Sequence, residues 1–233
     1  MHLITREKLE SVFGFKIKDI GIYETAFTHK SALHDYECLE SNERLEFLGD
    51  SVLNFIVTKF LMDKYTSVQE GFLTRVRTKL VSGKCLSRIA NHFELSEFIL
   101  MDSKAMSQKW NMNDRILEDV FEALIGALYL DSGMIAAKNF LLSILNNNTL
   151  INFDDILLDT NYKDILMRYT QNKRIPFPVY KILSSKDKIF TIQVELESSS
   201  YGVGMNKSKK EAEQVAAFET LKTLGIPTNS NIT

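Results

Sequence analysis

The chain has 233 residues and a mass of 26.7 kDa, which is room for one large domain or two smaller ones. Hydrophobic residues make up 45% of the sequence and charged residues 25%, values that exclude a disordered, collagen-like or low-complexity chain. The net charge of −2 argues against a protein that is basic throughout, and two cysteines without a CxxC spacing are too few for a disulfide scaffold.

The N-terminal segment and the apolar runs indicate an intracellular chain. Charged residues occur from Arg6 onward, without the apolar stretch of a secretory signal. The longest apolar runs, such as residues 123–130, are far shorter than the ~20 residues that span a bilayer. We therefore expect a cytoplasmic protein without a membrane partner, and a viral or organellar origin stays open.

Acidic and basic residues are unevenly distributed along the chain. Residues 1–158 contain 17 Lys and Arg against 22 Asp and Glu, whereas residues 159–233 contain 11 against 8. This division suggests two units with different partners, although a difference of this size also arises by chance.

The first 145 residues show helical periodicity almost throughout. Apolar residues recur three and four positions apart in two segments, as on one face of a helix. They are Leu45, Leu48, Val52, Phe55, Ile56 and Phe60 in the first segment, and Leu117, Val120, Phe121, Leu124 and Leu128 in the second. No proline precedes Pro176, so none breaks a helix in this part. We predict an all-helical domain over residues 1–147.

The pattern changes after a polar, asparagine-rich break, which predicts a linker over residues 148–159. The elements predicted next are a helix over 163–173, strands over 179–183, 189–197 and 200–205 with a loop over 184–188, and a helix over 209–224. This α-β-β-β-α order predicts a small α+β domain over residues 160–226 and a tail over 227–233. The fold class of the whole chain is therefore mainly α.

Acidic residues recur at helical spacing in two places. Glu43, Glu46 and Asp50 emerge on one face of a helix, although like charges at these spacings repel. Asp119 and Glu122 lie one turn apart in a strongly apolar helix. Two such helices could converge on a hard cation such as Mg²⁺, which prefers carboxylate ligands. The alternative is a solvated acidic face, and spacing alone does not show that the helices meet.

Four motifs in order resemble the ribonuclease III family. NERLEFLGDSVL at residues 42–53 resembles the family signature, and LEDVFEALIGALYLD at 117–131 is similar to its second acidic motif. AFTHKSA at 26–32 resembles the segment before the signature, and EGFLTRVRTKLV at 70–81 resembles the helix between the two acidic motifs. Together these motifs cover most of the first 145 residues.

The resemblance implies specific roles for the acidic residues. The metal-site carboxylates of the family are matched by Glu46, Asp50, Asp119 and Glu122. Asp50 and Glu122 match its two catalytic residues, and Glu43 and Glu70 match acidic positions with supporting parts. The implied cofactor is Mg²⁺, with Mn²⁺ as a possible substitute. The implied enzyme is a homodimer that cuts double-stranded RNA and leaves 5′-phosphates, 3′-hydroxyls and short 3′ overhangs.

A basic segment near the C-terminus carries a second resemblance. GVGMNKSKKEAEQVAA at residues 202–217 resembles the C-terminal motif of a double-stranded RNA-binding domain, which reads A-form shape through phosphates and 2′-hydroxyls. Lys209 and Lys210 fall at a helix start, where ammonium and backbone N–H groups both address phosphate, and Lys207 precedes them.

Two departures from that domain pattern predict weaker or less shape-selective RNA binding by this domain. Met167 and Arg168 stand where the family often has Gln and Glu, and residues 184–188 lack its Gly-Pro-x-His element. Arg168, Lys186 and Lys188 would supply phosphate contacts instead.

The sequence thus predicts a two-domain endoribonuclease for double-stranded RNA, acting in RNA processing or decay. The rival hypothesis is a non-catalytic RNA-binding or ribosome-associated homologue, which the intact carboxylates disfavour. Trp110 lies near Met101, Met106 and Met112 in a polar stretch, and we interpret it as packing or loop rather than a partner surface.

Overall fold

The computed structural model describes residues 4–34, 40–158 and 161–228, so Cys38, Asp159 and the last residues of the predicted tail lie outside the described residues. The chain divides into two compact units, Met1–Ile156 and Leu157–Thr233. The helices of the first unit are α1 (Arg6–Phe13), α2 (Ile20–Ala26), α3 (Glu43–Lys64), α4 (Glu70–Leu80), α5 (Gly83–His92), α6 (Ser103–Ser107) and α7 (Asp114–Leu145). Helix α8 (Phe153–Leu157) ends one residue beyond the boundary between the units. Single 3₁₀ turns lie at Lys30–His34, Leu95–Glu97 and Trp110–Met112.

The first unit is organised around the crossing of α3 and α7, which carry the two periodic apolar segments. The crossing is close because both helices present glycine there. A Cβ on Gly49 would lie 1.7 Å from the backbone oxygen of Glu122, and one on Gly126 would lie 2.3 Å from that of Leu45. Only glycine permits this approach of two helix backbones. The all-helical prediction for this part of the chain is confirmed.

Helix α7 is the central core element of this unit. Its residues from Val120 to Leu128 are buried, and a positive φ of 80° at Gly133 kinks it. By length and composition α7 could cross a membrane, but core helices of globular proteins pass the same test. Half of its most apolar stretch is buried inside the protein, and aromatic rings of Phe13, Phe15 and Phe93 pack on Phe140 of its last turns. The packing therefore explains why α7 is so apolar.

Hydrogen bonds from the N-terminal segment tie it to α7. The Asp131 carboxylate accepts the backbone N–H of Lys18 at 3.2 Å and that of Asp19 at 2.8 Å. It also accepts the hydroxyl of the fully buried Tyr23 at 3.3 Å. These bonds satisfy a carboxylate next to the core, where an unpaired one would be costly.

The second unit is a three-stranded antiparallel sheet with two helices. Its elements are α9 (Tyr162–Lys173), β1 (Val179–Lys186), β2 (Ile189–Leu196), β3 (Ser199–Asn206) and α10 (Lys209–Thr223), with strand order β1-β2-β3. The buried face of β2 comprises Ile192, Val194 and Leu196, and it packs with Leu166 of α9 and alanines of α10. The predicted α-β-β-β-α order is confirmed.

Two glycines of β3 explain how closely α10 lies on the sheet. A Cβ on Gly202 would be 2.5 Å from the backbone oxygen of Ala216, and one on Gly204 would be 2.2 Å from that of Ala212. The Thr220 hydroxyl accepts the N–H of Gly202 at 3.1 Å across this contact. The GVGMN segment therefore packs its glycines against α10 and leaves the following lysines exposed.

The structure corrects one prediction in this unit. Residues 184–186 belong to β1, and the predicted loop over 184–188 is reduced to a turn at Asp187 and Lys188, both with positive φ. The reason is that a two-residue turn with left-handed backbone matches the twist of antiparallel strands, so pairing continues up to it. Ser184, Ser185 and Lys186 pair with Thr191, Phe190 and Ile189.

Candidate active site

The crossing of α3 and α7 brings the two acidic groups of the sequence to the same place. Because Gly49 lies against the backbone of Glu122, Glu46 and Asp50 stand on either side of this contact. The charges of Asp50, Glu46 and Asp119 all act on Glu122, as does that of Glu118. The four predicted carboxylates therefore form one electrostatically coupled group, which spacing alone did not show.

Glu122 is the buried member of this group. It is 9% exposed, and burial followed by the charge of Asp50 raises its pKa to about 8. Within the described ranges its carboxylate has no hydrogen bond or ion pair. A buried carboxylate without a cationic or hydrogen-bonding partner is costly, and it is protonated or paired with a cation at neutral pH.

Glu46 and Asp119 line a surface hollow of about 410 Å³, whereas Asp50 and Glu122 are not among the residues that line it. Burial raises the pKa of both carboxyl groups, and Asp119 also raises that of Glu46. Arg115, which lines the same hollow, opposes both shifts. The hollow is thus a carboxylate-rich concavity in which negative charge is only partly compensated.

Asp50 and Glu43 are more exposed and have their own partners. Asp50 Oδ1 accepts the Asn54 side-chain amide at 2.6 Å. Glu43 Oε1 pairs with Lys30 Nζ at 3.0 Å, and this contact lowers the pKa of Glu43. Glu43 lines the hollow, so the structure brings it to the carboxylate group.

Glu70 is placed differently from the other predicted acidic residues. It begins α4 and accepts the Thr74 hydroxyl at 2.6 Å. It does not line the hollow that contains Glu46 and Asp119. Its supporting role stays a prediction.

The donor chemistry of the group fits a divalent cation. As their side chains stand, no three His, Cys, Asp or Glu residues in the described parts of the chain are close enough to hold a metal ion. The coupled carboxylates nevertheless supply oxygen ligands, and burial together with the neighbouring carboxylates raises the pKa of Glu122. Carboxylate oxygens of this kind are the ligands that hard divalent cations prefer.

Sequence reasoning did not single out two other charged neighbours of this group, Glu118 and Arg115. The Glu118 carboxylate packs on Gly83 at the start of α5, and its pKa is raised by burial and by Asp119. Glu118 directly precedes Asp119, and Arg115 lies one helical turn before it. This spacing is the signal that could have identified them.

The predicted RNA-contacting residues of the second unit differ in how accessible their side chains are to a phosphate. Lys207, Lys209 and Lys210 are exposed around the N-terminus of α10. Lys186 is exposed at the last position of β1, next to the tight turn. Arg168, by contrast, pairs through Nε with Asp164 Oδ2 on its own helix at 3.1 Å. The lysines are therefore the more accessible phosphate contacts.

A helical unit with coupled carboxylates, followed by an α-β-β-β-α unit with lysines at a helix start, is typical of a nucleic-acid hydrolase with a separate duplex-binding domain. The Ribonuclease-III-like family matches residues 19–148, and the double-stranded RNA binding motif matches residues 162–224. The chain belongs to the ribonuclease III family, and it is an endoribonuclease for double-stranded RNA.

Individual relatives agree with this assignment. Putative protein A464R of Paramecium bursaria Chlorella virus 1 is 40% identical over 228 residues, 97% of this chain and 81% of that protein. Ribonuclease 3 of Chlorobaculum tepidum is 36% identical over 214 residues, 87% of this chain and 77% of that protein. A structure of the nuclease domain of ribonuclease III from Campylobacter jejuni, described for flexibility in a region involved in dimer formation, has 37% identity and a TM-score of 0.58. It covers 63% of this chain and all of that one.

Proposed function

We propose that cleavage depends on Mg²⁺, or Mn²⁺ in its place, held by Glu46, Asp50, Asp119 and Glu122, with Asp50 and Glu122 as the catalytic residues. The observation that supports this proposal is Glu122, a buried carboxylate with no partner in the described residues, coupled to the other three. Divalent cations bound there would lower the pKa of an attacking water and offset charge on the leaving 3′ oxygen.

The residues of the chain itself prepare the site for this chemistry. The Gly49 and Gly126 contacts fix the two helix backbones, so that the carboxylates are held on rigid elements. Lys30 pairs with Glu43 in the lining of the hollow, which reduces repulsion of a phosphate. Products with 5′-phosphate, 3′-hydroxyl and short 3′ overhangs belong to the same proposal.

We further propose that the nuclease unit forms a homodimer through an apolar face of α3 and α7. Phe47 is 81% exposed and lines a mainly apolar hollow with Ile22, Leu48 and Leu130, although Glu43 and Arg44 also line it. Ile135 on α7 is 76% exposed. An exposed aromatic next to an apolar hollow suits a self-complementary interface in which each copy fills the hollow of the other.

The second unit is proposed to bind duplex RNA mainly through Lys207, Lys209 and Lys210. The turn at Asp187 and Lys188 leaves no long loop to enter a groove, and Arg168 is engaged with Asp164. Lys186 and Arg168 would add phosphate contacts that contribute little to the affinity. Binding by this unit alone is accordingly weak and without sequence preference.

The domain limits stay as proposed, with the nuclease unit over 1–147, a linker over 148–159 and the RNA-binding unit over 160–226. Helix α8 lies within the proposed linker. We propose that the enzyme acts in the cytoplasm, in RNA processing or decay.

The test is incubation of the full chain with a long, perfect RNA duplex, with MgCl₂, with MnCl₂ and with EDTA. Fragments that appear only with a divalent cation and carry 5′-phosphates support the proposal. A DNA duplex of the same sequence is the control that shows whether cleavage requires the ribose of RNA. Cleavage in EDTA, or binding without cleavage in any metal, contradicts it, and the second outcome favours the non-catalytic homologue.

A further inference from the structure

We propose that Trp110 is a specificity-determining residue whose indole ring stacks on an unpaired nucleobase beside the phosphodiester that is cut. The enzyme would then prefer duplexes with a bulged nucleotide at the cleavage site. The inference rests on the proposed function, because it places the reacting phosphodiester at the carboxylate group.

The position of Trp110 is the first argument. The structure confirms packing for Met101, which is 4% exposed, but Trp110 is 45% exposed. Trp110 lines the same hollow as Glu46 and Asp119, together with His29. The indole of Trp110 is half exposed near these carboxylates. No aromatic ring among the described residues packs on it, so its apolar faces are available to a ligand.

The segment that carries Trp110 is held at three points. The Asp102 backbone N–H donates to Ser31 Oγ at 3.2 Å before it, and the Asn111 side-chain amide donates to the backbone oxygen of Ser96 at 3.1 Å within it. Asn113 caps α7 by accepting the N–H of Arg115 at 2.9 Å. The indole is therefore presented from an anchored 3₁₀ turn, which lowers the entropy cost of stacking.

The charges around the ring indicate what it would contact. Lys30, which pairs with Glu43, and Arg115 line the same hollow as the carboxylates, and both cations are suited to contact phosphate. The indole N–H can donate to a phosphate oxygen, but the apolar faces of the ring gain nothing from phosphate. Paired bases in an A-form helix are already stacked on their neighbours. Its natural partner is an unpaired base, which stacks on aromatic side chains in RNA recognition.

The chain offers a direct probe, because Trp110 is its single tryptophan. We would use the full chain with Asp50→Asn to prevent cleavage and follow tryptophan emission and, separately, the anisotropy of labelled RNA. Two RNAs are compared: a perfect duplex, and the same duplex with one bulged nucleotide at the cleavage position mapped on the perfect form. Quenching that is larger with the bulged RNA, at equal bound fraction, is the expected result.

Kinetics provide the second readout. The ratio of kcat/KM for the bulged RNA to that for the perfect duplex should fall about fivefold or more in Trp110→Ala and be retained in Trp110→Phe, because an aromatic stack is worth about 1–3 kcal/mol. Met112→Ala is the matched control, since Met112 is 60% exposed on the same turn but does not line the hollow. It should leave the ratio unchanged.

The outcomes separate this inference from the proposed function. Cleavage of both RNAs with no quenching by the bulged RNA, or with an unchanged ratio in Trp110→Ala, overturns the role of Trp110 and leaves the nuclease intact. Absence of metal-dependent cleavage of either RNA by the wild-type chain overturns the proposed function itself.

Discussion

The Cα atom of Gly49 lies against the backbone carbonyl of Glu122, so close that a Cβ on Gly49 would stand 1.7 Å from that oxygen. This contact joins the signature segment of α3 to the second acidic segment of α7. It connects fold and chemistry, because the same approach that packs the helices sets the distance between their carboxylates.

Gly49→Ala should therefore destabilise the protein by at least about 2 kcal/mol, since the added methyl must push apart two helix backbones. Urea unfolding measures the change in the free energy of unfolding. The matched control is Gly71→Ala in the first turn of α4, where the nearest atom to a Cβ is a flexible Arg75 nitrogen at 3.5 Å. That change should be neutral or slightly stabilising. Equal effects of the two substitutions would show that the crossing tolerates a wider separation.

Glu122→Gln should stabilise the metal-free protein while cleavage is lost. The amide cannot ionise, so it avoids the cost of a buried carboxylate whose pKa is raised to about 8. The gain at about pH 8 is on the order of 2 kcal/mol after allowance for relaxation. Thermal unfolding in EDTA measures it, with the exposed Asp63→Asn on α3 as the control. A loss of stability in Glu122→Gln would mean that its carboxylate has a stabilising partner.

The stability of the metal-free protein should fall as pH rises from about 5 to 8. The folded state binds the Glu122 proton more tightly than the unfolded state, since the folded pKa is about 8 against 4.5. The contribution of this group to the free energy of unfolding is therefore fully present below its pKa in the unfolded state. It is lost as the pH rises through its pKa in the folded state. Added Mg²⁺ competes with that proton, so the rise in melting temperature on adding MgCl₂ should be larger at pH 8 than at about pH 6. An equal rise at both pH values would place the cation elsewhere.

Phe47→Glu should convert the proposed dimer to a monomer. A charge on a side chain that is 81% exposed in the single chain costs little there, but burying it against a partner is expensive. Analytical ultracentrifugation of the full chain measures the mass. Met62→Glu, at a 56% exposed position near the far end of α3, tests whether any apolar-to-acidic change has this effect. A wild-type monomer at micromolar concentration would refute the dimer.

Much of the fold could be predicted because its patterns are local. The period of Leu45, Leu48 and Val52 predicts α3, and the alternation after Ile189 predicts β2. The kink at Gly133 was not predicted, because it depends on a backbone conformation that no periodicity encodes. The extension of β1 to Lys186 likewise depends on pairing with β2.

The site was predicted in its residue types but not in its electrostatics. Spacing placed Glu46 and Asp50 on one face, yet the coupling to Glu122 exists only because α3 and α7 cross at Gly49. Sequence spacing also does not predict that Arg168 pairs with Asp164 or that Trp110 is exposed, because both depend on side-chain packing in the folded chain.

The most direct test of the central claim is single-turnover cleavage of one duplex RNA, in MgCl₂, by wild type, Asp50→Asn and Asp63→Asn. The two substitutions remove one carboxylate charge each from the same helix, but only Asp50 belongs to the coupled group. We expect Asp50→Asn to bind the duplex without cutting it, and Asp63→Asn to cut at the wild-type rate. Wild-type cleavage by Asp50→Asn would contradict the assignment of the catalytic site to these carboxylates.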